Sequence, residues 1–196
     1  MATTADWRSW HDEYADPGSA LSRRLRVVQR HIRAWLDETA PVPVTVVSAC
    51  AGDGRDLIGV LADRPDAHRV RATLVEADPE IADRAEEQAD RVGLESVDVR
   101  RADAGVSDAF VGAAPADLVL MCGVYGNVSD DDVHETVAAL PQLCETGALV
   151  VWTRHRKQPD LTPRIRGWFA EQGFDEQCFT SPDDAMFAVG AHRFLG

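Results

Sequence analysis

Val44-Thr-Val-Val-Ser-Ala-Cys-Ala-Gly-Asp-Gly-Arg-Asp56 is the stretch on which the fold turns. A run rich in β-branched residues ends in a turn of small residues holding Gly52 and Gly54, and Asp56-Leu-Ile-Gly-Val-Leu61 then starts a helix. β-Branched side chains favour strands, and glycine, lacking Cβ, lets bare main chain approach a ligand that lies against a helix N-terminus. The stretch therefore predicts a strand, a glycine loop and a helix, the unit that opens a ligand-binding α/β sheet.

Strand and helix patterns alternate from Val44 onward. Strands are predicted at Val44–Ser48, Ala72–Glu76, Ser96–Arg100, Asp117–Cys122 and Ala148–Trp152, with helices at Asp56–Leu61, Pro79–Val92, Gly105–Val111 and Asp130–Leu143 between them. That alternation calls for a parallel sheet with helices on both faces. After a further helix over Leu161–Gln172, Phe174–Thr180 and Met186–Phe194 read as two strands joined at Ser181-Pro-Asp-Asp184, an antiparallel hairpin. Upstream, Trp7, Trp10, His11 and Tyr14 share one face of a short helix. Leu21, Leu25, Val28, Ile32 and Trp35 mark a longer one whose other face carries Arg23, Arg26, Arg30 and Arg33. The expected architecture is α/β: a Rossmann-like, mostly parallel seven-stranded sheet flanked by helices, with a C-terminal antiparallel hairpin and an N-terminal helical cap. Residues 1–40 form the cap and 41–196 the core of what is one domain overall.

Composition narrows the partners. The 196 residues are 45% hydrophobic and 27% charged, as in a globular chain, and carry a formal charge of −13. A phosphate-neutralising surface needs many Lys and Arg, so no nucleic-acid partner is expected. No charged-then-apolar leader and no membrane-length apolar run occur, which predicts a cytoplasmic protein with no membrane partner. Cys50, Cys122, Cys144 and Cys178 are scattered without a C-x-x-C pair, so neither a structural metal nor a disulfide framework is expected.

Two ligand classes use a glycine loop after the first strand. A dinucleotide fold wants G-x-G-x-x-G, but the third glycine position is Leu57 here, and G-x-x-x-x-G-K-[ST] is absent. The other signals fall at successive strand ends, where open α/β sheets bind ligands. Glu76 closes the second strand and could accept both hydroxyls of a ribose, while Asp78 could cap the helix after Pro79. Asp103 closes the third strand, where it could accept from an exocyclic adenine amine. The fourth strand ends at Cys122, and Gly123-Val-Tyr-Gly-Asn-Val128 leaves it.

Over roughly Val42 to Gly196 this set resembles the class I S-adenosylmethionine-dependent methyltransferases. The resemblance implies S-adenosyl-L-methionine as cofactor. Ala51, Gly52, Asp53 and Gly54 would lie along its methionine part, Glu76 with Ala77 at the ribose, Asp103 with Ala104 at adenine, and Cys122 and Gly123 facing cofactor and acceptor. Two positions depart from the family pattern. Ser48 stands where the family usually has an acid, one that commonly helps bind the cofactor's ammonium, and Cys50 stands at its first glycine. The departures imply either that Asp53 or Asp56 takes over that contact or that the cofactor is bound more weakly.

The implied chemistry is in-line methyl transfer, in which positioning supplies much of the rate and a base is needed only for a protonated nucleophile. Candidates for the acceptor pocket are Tyr125 and Asn127 in the loop after the fourth strand, His155 after the fifth, and His11 on the N-terminal aromatic face. Arg154 and Arg156 could hold an anionic acceptor, and Arg23 and Arg24 could reach the cofactor carboxylate, although a solvated helix face is the simpler reading of that pair. The compact cap favours a small-molecule acceptor. An NAD-type oxidoreductase and a non-catalytic S-adenosylmethionine-binding module remain alternatives, and the oligomeric state is open.

Overall fold

The computed structural model describes Tyr14 and residues 16–196; the predicted helix carrying Trp7, Trp10 and His11 lies outside the described residues. Seven strands form one sheet in the order β3-β2-β1-β4-β5-β7-β6. They are β1 (Val44–Ala49), β2 (Val70–Glu76), β3 (Val97–Arg101), β4 (Ala116–Met121), β5 (Cys144–His155), β6 (Phe174–Thr180) and β7 (Phe187–Phe194). The first five pair in parallel, and β7 runs antiparallel between β5 and β6. The helices are α1 (Ala20–Glu38), α2 (Ile58–Leu61), α3 (Pro79–Arg91), α4 (Asp130–Ala139) and α5 (Thr162–Glu171).

Alternation along each central strand sends neighbouring side chains to opposite faces, and so builds two cores. Val46, Leu74, Leu118 and Val151 pack with Val28, Ile32 and Leu36 of α1 and Ala82 and Ala85 of α3. Val47, Val75, Val119 and Trp152 pack with Val133 and Val137 of α4 and Ile165 and Phe169 of α5. Helix α1 is therefore a layer of the sandwich, stapled in place by Arg69. That buried guanidinium donates to the Leu36 carbonyl at 2.6 Å, to the Ala40 and Val42 carbonyls, and to the Asp66 carboxylate.

Helix starts follow their caps. Ser19 accepts from Ser22 N, and Asp78 accepts from Glu80 N and Ile81 N ahead of Pro79. Ser129 and Asp132 form a reciprocal capping box. Three predicted helices come out shorter. The one after the glycine loop is a single turn, residues 105–111 hold one 3₁₀ turn (Ser107–Phe110), and α4 gives way to a 3₁₀ turn over Leu140–Leu143. Pro141 in that turn has no N–H to continue an α-helix. The fifth strand then begins at Cys144, earlier than its pattern showed.

Candidate functional site

The C-terminal ends of β1, β2, β4 and β5 open onto a cavity of about 330 Å³ roofed by α1. Its walls include Ala51, Gly52, Asp53, Glu76, Ala77, Cys122, Gly123 and Asn127 of the expected site, joined by Tyr14, Arg24, Leu25, Cys50, Asp56 and Thr153. The glycine loop reverses sharply after β1. Cys50 has φ +49°, unusual for a residue with a Cβ, and Gly52 (φ +59°) has open space where a side chain would stand. Gly54 serves a different purpose: a Cβ there would lie 2.6 Å from Ile58 and 2.7 Å from Leu74, so its bareness lets the loop sit down on the sheet.

Glu76 is fixed at the far wall. Its Oε2 accepts from Gly52 N and its Oε1 from Asp78 N, both at 2.9 Å, which leaves each oxygen a further lone pair toward the cavity. Burial, then the Glu76 and Asp103 carboxylates, push the Cys50 thiol up to about 11. Asp103 itself is exposed and accepts from Gly105 N, and neither it nor half-buried Ala104 lines the cavity.

At the near wall charges crowd together. Arg55 grips Asp53 through Nε at 2.7 Å and through a second nitrogen, and its guanidinium lies 4.0 Å over the Tyr14 ring. The Tyr14 hydroxyl, raised in pKa chiefly by burial, accepts from Arg24 at 3.3 Å. Asp56 is 7% exposed; burial, reinforced by Asp53, lifts its carboxyl to about 6 against the opposing pull of Arg24. Thr153 Oγ1 accepts from Gly123 N, and Asn127 Nδ2 donates to the Gly123 carbonyl, so both shape the loop after β4.

Several expectations need correction. Tyr125 does not line the pocket: it is fully buried among the second core, its ring centroid 6.0 Å from that of Trp152. In the loop after β4, Val124 and Tyr125 are both buried in the second core, and of the two only Val124 also reaches the cavity wall. His155 also stands outside the cavity wall, beside Gly126. Its Nδ1 is enclosed without a partner, and burial, then Arg154 and Lys157, lowers its pKa. Arg154 is buried against the Tyr125 carbonyl and Asp130, Arg156 holds Asp160 and the Pro182 carbonyl, and neither lines the cavity. Arg23 pairs with Asp184 on the surface as its helix face predicted, but Arg24 turns into the cavity wall. His11 lies outside the described residues.

The strand order, the antiparallel β7 and the glycine loop facing a β2 carboxylate together define the fold of the class I S-adenosylmethionine-dependent methyltransferases. Among solved structures, the chain is similar to magnesium protoporphyrin IX methyltransferase from Synechocystis with bound S-adenosylhomocysteine. That match has TM-score 0.74 and 13% identity over 97% of this chain and 94% of that one. It is also similar to 1,6-didemethyltoxoflavin-N1-methyltransferase from Burkholderia thailandensis (TM-score 0.72, 18% identity, 98% and 85% covered). A third is an O-methyltransferase family protein from the same organism (0.71, 16%, 98% and 61%). No protein-family model and no curated protein matches the chain in sequence. Among the described residues no helix is long and apolar enough to cross a membrane, and no group of His, Cys, Asp and Glu is placed to hold a metal ion.

Proposed function

We propose that the protein transfers a methyl group from S-adenosylmethionine to a small molecule. The observation that carries this reading is one cavity holding the Glu76 carboxylate at one end of the glycine loop and buried Asp56 at the other. Glu76, braced by two main-chain N–H groups, has acceptor capacity left for two ribose hydroxyls. Buried Asp56 beside the loop, with Asp53 already paired to Arg55, suits a cofactor with positive charge at its other end better than the pyrophosphate of a dinucleotide. Asp103, exposed just past the end of β3, would meet the adenine amine.

The cofactor supplies an activated methyl on a sulfonium, which an acceptor nucleophile displaces in line. The protein's part is positioning and exclusion of water. Leu25 and Val28 of α1 and Val124 and Val128 after β4 give the cavity apolar walls, and Asn127 offers an amide able to orient a hydroxyl or amine. A net charge of −13 and a cavity of this size support a small acceptor over a polyanion.

Calorimetric titration with S-adenosylhomocysteine and with NADH, followed by incubation with labelled S-adenosylmethionine and an acceptor panel, tests the proposal. Binding of the first ligand alone and label transfer are expected. Binding of NADH with S-adenosylhomocysteine ignored overturns it, and cofactor binding with no transfer to any acceptor would favour a binding module.

A further inference from the structure

We propose that Asp56 anchors the α-ammonium of the cofactor's amino-acid end, the contact having moved from the end of β1 to the start of α2. The inference rests on S-adenosylmethionine being the cofactor.

Three observations carry it. First, Ser48 at the end of β1 is 1% exposed, and its hydroxyl is shut into the sheet with no partner, so it cannot reach a ligand. Second, Asp56 is almost wholly buried, yet it lines the cavity. Its Oδ1 accepts from Leu57 N at 2.8 Å, while Oδ2 has no hydrogen-bond partner among the described residues and is not enclosed by protein. A buried carboxylate with one oxygen turned to a cavity is poorly solvated, and a cation able to donate hydrogen bonds relieves that. Third, Asp53, the other acid of the loop, already accepts two guanidinium bonds from Arg55.

The hydrogen-bonding requirement selects the ammonium over the sulfonium. An ammonium donates three N–H bonds, whereas a sulfonium has none to give. The order along the glycine loop also fits, with Glu76 bonded to Gly52 N at its start and Asp56, also lining the cavity, where the loop enters α2. Among the described residues, the charged and titratable groups facing Asp56 include Arg24 from α1, Tyr14 ahead of it, Asp53 and Arg55 from its own loop, and Cys122 from the end of β4. Burial holds the empty carboxyl at about 6, so it is ionised at pH 7.5 and largely protonated at pH 5.

The test is calorimetry on wild type and Asp56→Asn with three probes: S-adenosylhomocysteine, its analogue with hydrogen in place of the α-amino group, and 5′-methylthioadenosine, which lacks the amino-acid end. Wild type should bind S-adenosylhomocysteine at least about tenfold more tightly than the desamino analogue. Asp56→Asn should abolish that preference, while methylthioadenosine affinity stays within about twofold and shows the pocket intact. Because S-adenosylhomocysteine has no sulfonium, a loss measured on it assigns the ammonium. Its affinity for wild type should also fall from pH 7.5 to pH 5 more steeply than for the variant. A preference retained by Asp56→Asn, or an equal loss on all three probes, overturns the inference while leaving the cofactor reading intact. Failure of wild type to bind any probe removes both.

Discussion

Replacing Asp56 with Asn should stabilise the empty protein. The carboxyl is lifted from an ordinary 3.8 to about 6 by burial, so folding disfavours its charged form. A raised folded-state pKa gives stability that is complete below pH 3.8 and gone once pH exceeds about 6. Asn mimics the protonated acid, and its oxygen can keep the bond from Leu57 N. At 1.36 kcal/mol per pH unit, a shift of about two units is worth at most ~3 kcal/mol. For a chain of this length that corresponds to a Tm gain of up to roughly 10 °C. Scanning calorimetry of ligand-free wild type and variant at pH 4 and pH 8 separates the outcomes, since the curves should nearly coincide at pH 4 and diverge at pH 8. No gain at pH 8, or an equal gain at both, would refute the reasoning. The same side chain would then weaken the empty fold and strengthen the complex, an ordinary trade at a binding site.

Glu76→Ala should weaken S-adenosylhomocysteine binding tenfold or more in calorimetry, through loss of charge-assisted hydrogen bonds worth about 1.5–3 kcal/mol; unchanged affinity removes the ribose assignment. Gly190→Ala should lower Tm by several degrees in a thermal melt, because its Cβ would collide with the Trp152 ring across the β5–β7 pair, and overpacking costs about 1–3 kcal/mol. His192, enclosed beside Trp152 and Phe169, is held down to about 4 by burial. Its lowered pKa gives stability present above pH 6.5 and lost as pH falls toward 4, ~3 kcal/mol at most. His192→Gln, which can still accept from Trp152 Nε1, should therefore flatten the acid limb of denaturant-measured stability.

Sheet and site were legible to different depths. Each central strand carries a β-branched or aliphatic run that must be covered on both faces, so Val44–Ser48 and Asp117–Cys122 fell within a residue or so of β1 and β4. Strand β5 was under-read because its first residues, Cys144 to Gly147, carry little pattern before the buried run from Ala148. Gly52 and Glu76 could be found because a turn residue and a strand-end acid leave local marks. Tyr125 could not: between Gly123 and Gly126 it looks like loop, and only its packing against Trp152 in the second core shows it to be buried. For Arg24 the sequence leaves two readings, a solvated helix face and reach toward the cofactor, and its place beside Leu25 and Val28 on the cavity wall favours the second. The weight carried by Asp56 depends on burial, which sequence pattern does not give for a polar residue at a helix start.

The most direct measurement is a crystal structure with S-adenosylhomocysteine. The account predicts both ribose hydroxyls on Glu76, the adenine amine toward Asp103 and the amino-acid end running over Gly52 to Asp56. An adenosine seated elsewhere, or a cavity left empty at saturating ligand, would contradict it.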